Sequence, residues 1–227
     1  MTRRLYVETM IRTNLDEVWR RTQDPGLHQR WDLRFTRIDY LPKTGPEQHF
    51  RYTVRVFPGL VVGGTGVTVG ERTRPDGCRT SALRFSSAHP LSLIRRGSGY
   101  WRYEPISAGI RFATGYDYQP GWGRLGPLAD LPFRRLLGWG TAWSFDRLRL
   151  WLERGVPPEA SLRWALLDAA WRVALSTSAW LTAPALLAAA ITLGCLLLPP
   201  APSTPAARRC RRRPPDRTPS SHPAERH

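Results

Sequence analysis

The sequence predicts an α+β fold in which a curved antiparallel sheet wraps around one long C-terminal helix, with a further hydrophobic helix behind it. Three observations lead there. Residues 131–154, LPFRRLLGWGTAWSFDRLRLWLER, read as one helix of about 24 residues, ~36 Å long. Phe133, Leu137, Gly140, Leu148 and Trp151 share one side, widened by Leu136 and Trp143; Arg135, Asp146, Arg149 and Glu153 share another. The hundred residues before it are almost wholly strand-like, and such a sheet offers the broad apolar partner the helix needs.

The elements follow in order. Residues 3–12 alternate Leu5, Val7, Thr9, Ile11 against Tyr6, Glu8, Met10, Arg12, a half-buried first strand. Asn14 three before Glu17 opens a short helix, LDEVWRRT, with Val18 and Trp19 as its core contacts. Asp24 caps a second, with Pro25 in its first turn, which ends near Trp31-Asp32. Strands are then expected at 33–41, 49–57, 60–72, 78–86, 92–105 and 109–119. The turn Arg74-Pro75-Asp76-Gly77 joins two of them. A Gly/Pro-rich loop over 120–130 leads into the long helix, and Gly155 marks its exit.

This order, with the first strand YVETMIR, the helix LDEVWRRTQDPG and HQRWD at 28–32, resembles the START-like, polyketide-cyclase (SRPBCC) superfamily with the helix-grip fold. The likeness covers roughly residues 3–154. It implies a sheet curved around the final helix, leaving an apolar cavity for a lipid, sterol, polyketide or other hydrophobic ligand. It fixes no reaction, because members range from carriers to cyclases.

Composition narrows the partners. Basic residues outnumber acidic ones 34 to 18, and Lys43 alone among them is lysine. That Arg usage, with abundant Ala, Gly, Pro and Leu, fits a GC-rich coding sequence better than a nucleic-acid site; no basic helix-turn-helix or RNA-binding motif accompanies it. No nucleic-acid partner is expected, although the +16 charge favours anionic surfaces. Cys78, Cys195 and Cys210 are too scattered for a disulfide framework or a zinc site. Met1 to Arg12 holds no apolar run of a secretory signal, so the N-terminal domain is expected to stay where it is made.

No chemistry is demanded by a motif. Gly64-x-Gly66-x-x-x-Gly70 misses the dinucleotide fingerprint and reads as a strand bending over a cavity. His28, His49 and His89 have no ligand-spaced partners, and His28 reads as a helix-end or packing residue. No metal or cofactor is expected. The candidate ligand-binding residues are Tyr52, Trp101, Tyr103, Thr114, Tyr116, Trp143 and Arg147, rings and polar groups that would bury and orient an apolar molecule. Arg147 lies on an apolar flank, where its charge calls for an internal acid, a route to solvent, or an anionic ligand.

A second module is expected after Pro157-Pro158. Residues 159–176 read as an amphipathic helix whose Arg and Trp residues suit a membrane interface. Residues 179–198, AWLTAPALLAAAITLGCLLL, are uncharged and of bilayer length, a transmembrane expectation weakened by Pro184. Arginines 208, 209, 211, 212, 213 and 217 against 163 and 172 would place the tail in the cytoplasm, in conflict with a cytoplasmic main domain unless the segment bends at Pro184 and re-enters. Residues 201–227 read as a disordered Arg/Pro-rich tail. The domains expected are therefore 1–155, 156–200 and 201–227. The reading is a membrane-attached binder or carrier of a hydrophobic small molecule, with a polyketide cyclase/dehydratase-like enzyme using the same cavity as the alternative.

Overall fold

The structure is a computed structural model that describes residues 4–43 and 45–214. Seven strands form one antiparallel sheet: β1 (Leu5–Ile11), β2 (Arg37–Tyr40), β3 (Gln48–Phe57), β4 (Leu60–Thr73), β5 (Arg79–Ser86), β6 (Ile94–Ile106) and β7 (Gly109–Pro120). Their order is β1-β7-β6-β5-β4-β3-β2, so each strand from β2 to β7 pairs with its sequence neighbour and β1 closes on β7. Register shifts at Arg55/Phe57, Thr68/Gly70 and Ile94/Arg96 break the ladder locally, and such irregularities bend the strands that carry them.

Between β1 and β2 stand α1 (Leu15–Gln23) and α2 (Pro25–Trp31). Both start where capping chemistry predicts: the Asn14 side chain accepts from the Glu17 N–H and Asp24 from that of Leu27, each at 2.9 Å. The long helix α3 (Gly126–Arg154) begins a turn earlier than its periodicity suggests, with Pro127 in its first turn and Pro132 inside it. It ends at Gly155, whose φ of 65° is the left-handed cap expected there. Its contacts with the sheet concentrate on β1 and β7.

From Thr141 to Leu148 every residue of α3 is buried, so this half of the helix is covered on all sides. Phe145 and Leu148 meet Val7, Ile11 and Phe112 in the core, with the Phe112 and Phe145 rings stacked at 4.5 Å. The far side is closed by residues 199–214, which contradicts the expectation of disorder for that part of the tail. Ala206, Ala207 and Cys210 pack down as small buried residues, and Arg211 exchanges two 2.9 Å backbone bonds with Glu8, continuing the sheet edge past β1. Asp146, fully buried, holds this strap in place: it accepts from the Ala206 N–H at 2.8 Å and from Arg209 at 2.9 Å, while its other oxygen accepts from Arg149. Residues 215–227 of the expected tail lie outside the described residues.

Two more helices follow, α4 (Pro158–Thr182) and α5 (Ala185–Leu197). They replace the single hydrophobic helix expected over 179–198. Proline forces the residue before it out of the helical region and brings no N–H, and Ala183 is extended at φ −115°, ψ 156°. Among the described residues no helix is long and apolar enough to cross a membrane. The chain also does not close its core at 155: Pro158 and Ser161 are buried, and α4 touches α2 and α3.

Asp146→Ala strips a carboxylate from two arginines and a buried N–H. It should lower stability by about 3 kcal/mol, read as an earlier urea midpoint with an unchanged slope. A loss under ~1 kcal/mol would mean that the strap does not hold the helix.

Candidate ligand-binding site

Strand alternation and register place the sheet candidates on one concave face. Thr114 pairs with Trp101 and Val7, Phe112 with Tyr103, and Tyr52 with Gly64, so all these side chains point toward α3. The face divides into two halves. Near α1 and α2 it is filled. Trp101 meets His28 edge-on at 4.8 Å and Phe112 at 6.0 Å; Trp31 reaches Phe145 at 6.0 Å. The Tyr103 hydroxyl shares a 2.7 Å bond with Thr22 and accepts from Gln23 at 2.9 Å, and burial pushes its pKa well above the usual phenol value. Thr114 spends its hydroxyl on the Tyr100 carbonyl at 2.9 Å. Tyr103 and Thr114 therefore have protein partners for their hydroxyls, and Trp101 is buried among other rings.

The other half is uncovered. Over β3, β4, β5 and β6 the rings of Phe50, Tyr52 and Phe85 lie flat across Gly66, Gly64 and Gly97 of neighbouring strands. A Cβ there would sit 2.2–2.5 Å from ring atoms, so glycine is what permits the rings to lie down. All three remain only partly buried. Phe35 joins them, edge-on to Tyr52 at 5.6 Å, and burial pushes the Tyr52 pKa up to about 12. Across from them is the flank of α3 that carries Phe133, Gly140 and Ser144, seven and four residues apart. Phe133 lies edge-on to Tyr118, and Gly140 has open space where a Cβ would be. The result is an open trough with an aromatic floor.

One end of the trough is polar. Tyr116 shares a 2.8 Å hydroxyl bond with Thr141, and the Arg34 guanidinium stands over both the Tyr116 and Phe35 rings at 5.6 Å. Behind it Arg34 grips Asp32 at 2.6–3.2 Å, and His28 reaches the same carboxylate at 3.0 Å. Burial alone would raise the Asp32 pKa, but Arg34 and His28 outweigh it and hold the carboxyl well below the usual range. Burial lowers the pKa of His28, and Asp32 only partly opposes that, so the imidazole is neutral and donates Nε2–H to Asp32.

Trp143 and Arg147 do not meet the other candidates. Two residues from Thr141 and Phe145, Trp143 points to the opposite flank of the helix, stacked on Trp139 and under Arg147 at 5.2 Å. Arg147 solves its burial with carbonyls rather than an acid. It donates to Trp31 at 3.1 Å, Arg30 at 3.0 Å and Pro158 at 2.9 Å, and burial lowers its pKa to about 10, still cationic near neutrality. The trough thus gathers Tyr52 from the expected set and adds Phe35, Phe50, Phe85 and Arg34, with Tyr116 and Thr141 buried and hydrogen-bonded behind its polar end. The His28–Asp32 spacing of i, i+4 at a helix end is the sequence signal for its polar end. A groove of about 610 Å³ is lined by His49, Arg84, Arg96, Asp117 and Gln119, which alternation turns to the convex face, and shares Gly66, Phe85, Gly97 and Tyr118 with the strands that floor the trough. Its openness to solvent and mixed charge make it the poorer apolar site. Among the described residues no three His, Cys, Asp or Glu side chains could hold a metal ion.

His28 and Asp32 make stability acid-sensitive. With its folded pKa below the usual 6.5, His28 binds a proton in the unfolded chain first, so stability falls from about pH 6.5 downward. Asp32 contributes above the usual 3.8 and loses that contribution only as pH falls toward its depressed folded value. The thermal midpoint should therefore drop between about pH 7 and pH 5, and His28→Gln should flatten the drop. An equal slope in the variant would assign it to other groups.

No family model matches the chain. Over 166 residues it is 49% identical to the uncharacterized membrane protein YndG of Bacillus subtilis (strain 168), a match that covers 72% of this chain and spans 62% of that relative's length. Three solved structures share its architecture. A STAR-related lipid transfer protein from Xanthomonas axonopodis aligns with a TM-score of 0.52 at 20% identity, over 66% of this chain and 85% of that one. The di-domain ARO/CYC StfQ of the steffimycin biosynthetic pathway gives 0.51 at 13%, over 67% and 50%. A protein of Thermus thermophilus gives 0.50 at 17%, over 65% and 94%. At these identities the likeness is one of fold, and the chain has the START-like, polyketide-cyclase (SRPBCC) helix-grip fold.

Proposed function

We propose that this chain binds an elongated hydrophobic molecule in the open half of the grip, and that it does so attached to a membrane. The observation that carries the reading is the concave surface of β3 to β6, where Phe50, Tyr52 and Phe85 lie flat on glycines and stay only partly buried, with Phe35 beside them and open space at the Gly140 flank of α3. Apolar surface of that kind is costly in water and is offset by an apolar occupant. The Arg34 guanidinium, backed by the buried Tyr116–Thr141 pair, is the polar group at the trough's end that would orient one terminus of such an occupant. Asp32 is committed to Arg34 and His28, and Asp130 to Tyr118 and Arg134, so neither of these carboxylates is free to act as a base against the trough, which favours binding or carriage over turnover. One structural neighbour is a STAR-related lipid transfer protein and the YndG relative is named a membrane protein, and both support the same reading.

Gly140→Leu tests the trough. In open space the new side chain should leave the thermal midpoint unchanged or raise it, since leucine is favoured over glycine in a helix by roughly 0.8 kcal/mol. It should weaken binding of a fluorescent fatty acid or polyaromatic probe to the full chain by about tenfold, ~1.4 kcal/mol. A wild type that binds neither probe, with a variant destabilised by about 1–3 kcal/mol through overpacking, would replace the trough with a solid core.

A further inference from the structure

The hairpin of α4 and α5 is the part of the molecule that the helix grip does not use. After Arg172 no charged residue occurs until Arg208. Residues 173–182, the last part of α4, span about 15 Å, and the 13 residues of α5 span about 20 Å. A bilayer core is about 30 Å thick, so one leaflet is about 15 Å. The arms are too short to cross a bilayer and long enough to enter half of one.

The surface fits that solvent. The arms touch each other through the small buried residues Ala179, Ala188 and Cys195. Their leucines face outward on every side, with Leu186 89%, Leu181 80% and Leu196 77% exposed. A helix lying flat on a membrane would confine apolar residues to one face; in this hairpin apolar residues occur on every side, with Ser176, Thr177 and Ser178 as a short polar stretch low on the first arm. Three of its side-chain donors are satisfied internally: Thr182 donates to the Ser178 carbonyl at 2.8 Å, Thr192 to that of Ala188 at 2.9 Å, and the Trp180 indole to Thr192 at 3.1 Å. Charge returns only at the base. There Arg172, paired with Asp168 at 2.9 Å, donates to the carbonyls of Cys195, Leu198 and Pro199 at the exit of α5. Arg209 reaches the Pro200 carbonyl at 3.3 Å, and exposed Trp164 and Trp171 flank the same end of the hairpin.

We infer that residues 173–198 form a monotopic anchor, a helical hairpin inserted into one leaflet of an anionic bilayer, with its two ends and the folded domain on the same side. This rests on the membrane half of the proposed function and gives it a geometry. Arg163 and Arg172, at the base of the hairpin, sit at the headgroup level, where anionic lipid complements them.

The full chain, reconstituted from mild detergent with phosphatidylglycerol/phosphatidylethanolamine vesicles, supplies the test. It should float with the vesicles and withstand both high salt and carbonate. Trypsin added outside should remove the N-terminal domain and the tail together, leaving in the lipid a peptide that ends near Arg208. Leu186→Asp with Leu196→Asp, two exposed positions, should cut the floated fraction more than tenfold while leaving circular dichroism and hydrophobic-probe binding unchanged. Release by salt, protection of one flank from trypsin, or a dimer that the same variants dissociate with no flotation of the wild type would each overturn the anchor. Probe binding separates the two readings, since a chain that binds probe without floating loses the anchor and keeps the trough.

Discussion

Two adjacent, oppositely charged residues near the middle of α3 hold the molecule together. Asp146 and Arg147 are both buried, on different flanks of one helix. Asp146 accepts from the strap at Ala206 and Arg209; Arg147 donates to the end of α2 and the start of α4. Neither pairs with the other. Each binds groups from chain distant in sequence, Asp146 with Arg149 as an added neighbour on its own helix, so removing either would leave uncompensated polarity in a dry place. Segments from residue 30 to residue 209 are thereby indexed to a single turn of helix.

That arrangement explains why the grip is asymmetric. The all-round burial of residues 141–148 fixes α3 over β1 and β7, and the α1–α2 pair fills the face beside it. With the helix held there, its N-terminal half extends past the filled region, and between β6 and the edge strand β2, which α2 covers, the sheet is left open. The rings of Phe50, Tyr52 and Phe85 respond by lying on glycines of the adjacent strands, which shortens the projection of each ring from the sheet. The trough follows from where the helix is pinned, and its depth from three glycine–aromatic pairs.

The sheet, the two caps and the long helix are legible in the sequence because each has a local signature: period-2 alternation, an Asn or Asp before the first turn, apolar residues three and four apart. Two features escape for physical reasons. Periodicity says which side of a helix is apolar, not what covers it, so Trp143 reads as a cavity residue although Thr141 and Phe145 occupy the sheet side. The strap 199–214 has the Pro, Ala and Arg content of an unstructured tail, and it orders because Asp146 and the Glu8 edge supply hydrogen bonds to its backbone. Arg147 is recognisable as a buried charge needing compensation. That carbonyls from two separate helices supply it is a tertiary fact with no local trace. Pro184 is the opposite case: its effect on a helix is local, and the length of the apolar run obscures it.

The same pin ties the two modules into one mechanical unit. Arg147 donates to Pro158 and Arg30 pairs with Glu159 at 2.8 Å, so the first turn of α4 is fastened to α3 and α2 at two points, while Ser161 donates to the same Pro158 carbonyl from within α4 at 2.8 Å. α4 then runs unbroken from that junction to the tip at Thr182. A rigid helix of 25 residues transmits orientation where a flexible linker would only limit distance. Asp32 and Arg34, which form the ion pair at the polar end of the trough, follow directly on Trp31, whose carbonyl Arg147 holds. The polar end of the trough and the root of the apolar hairpin are thus set by one guanidinium. A molecule entering the trough from a lipid surface would meet a binding face whose tilt is fixed by the chain's own packing.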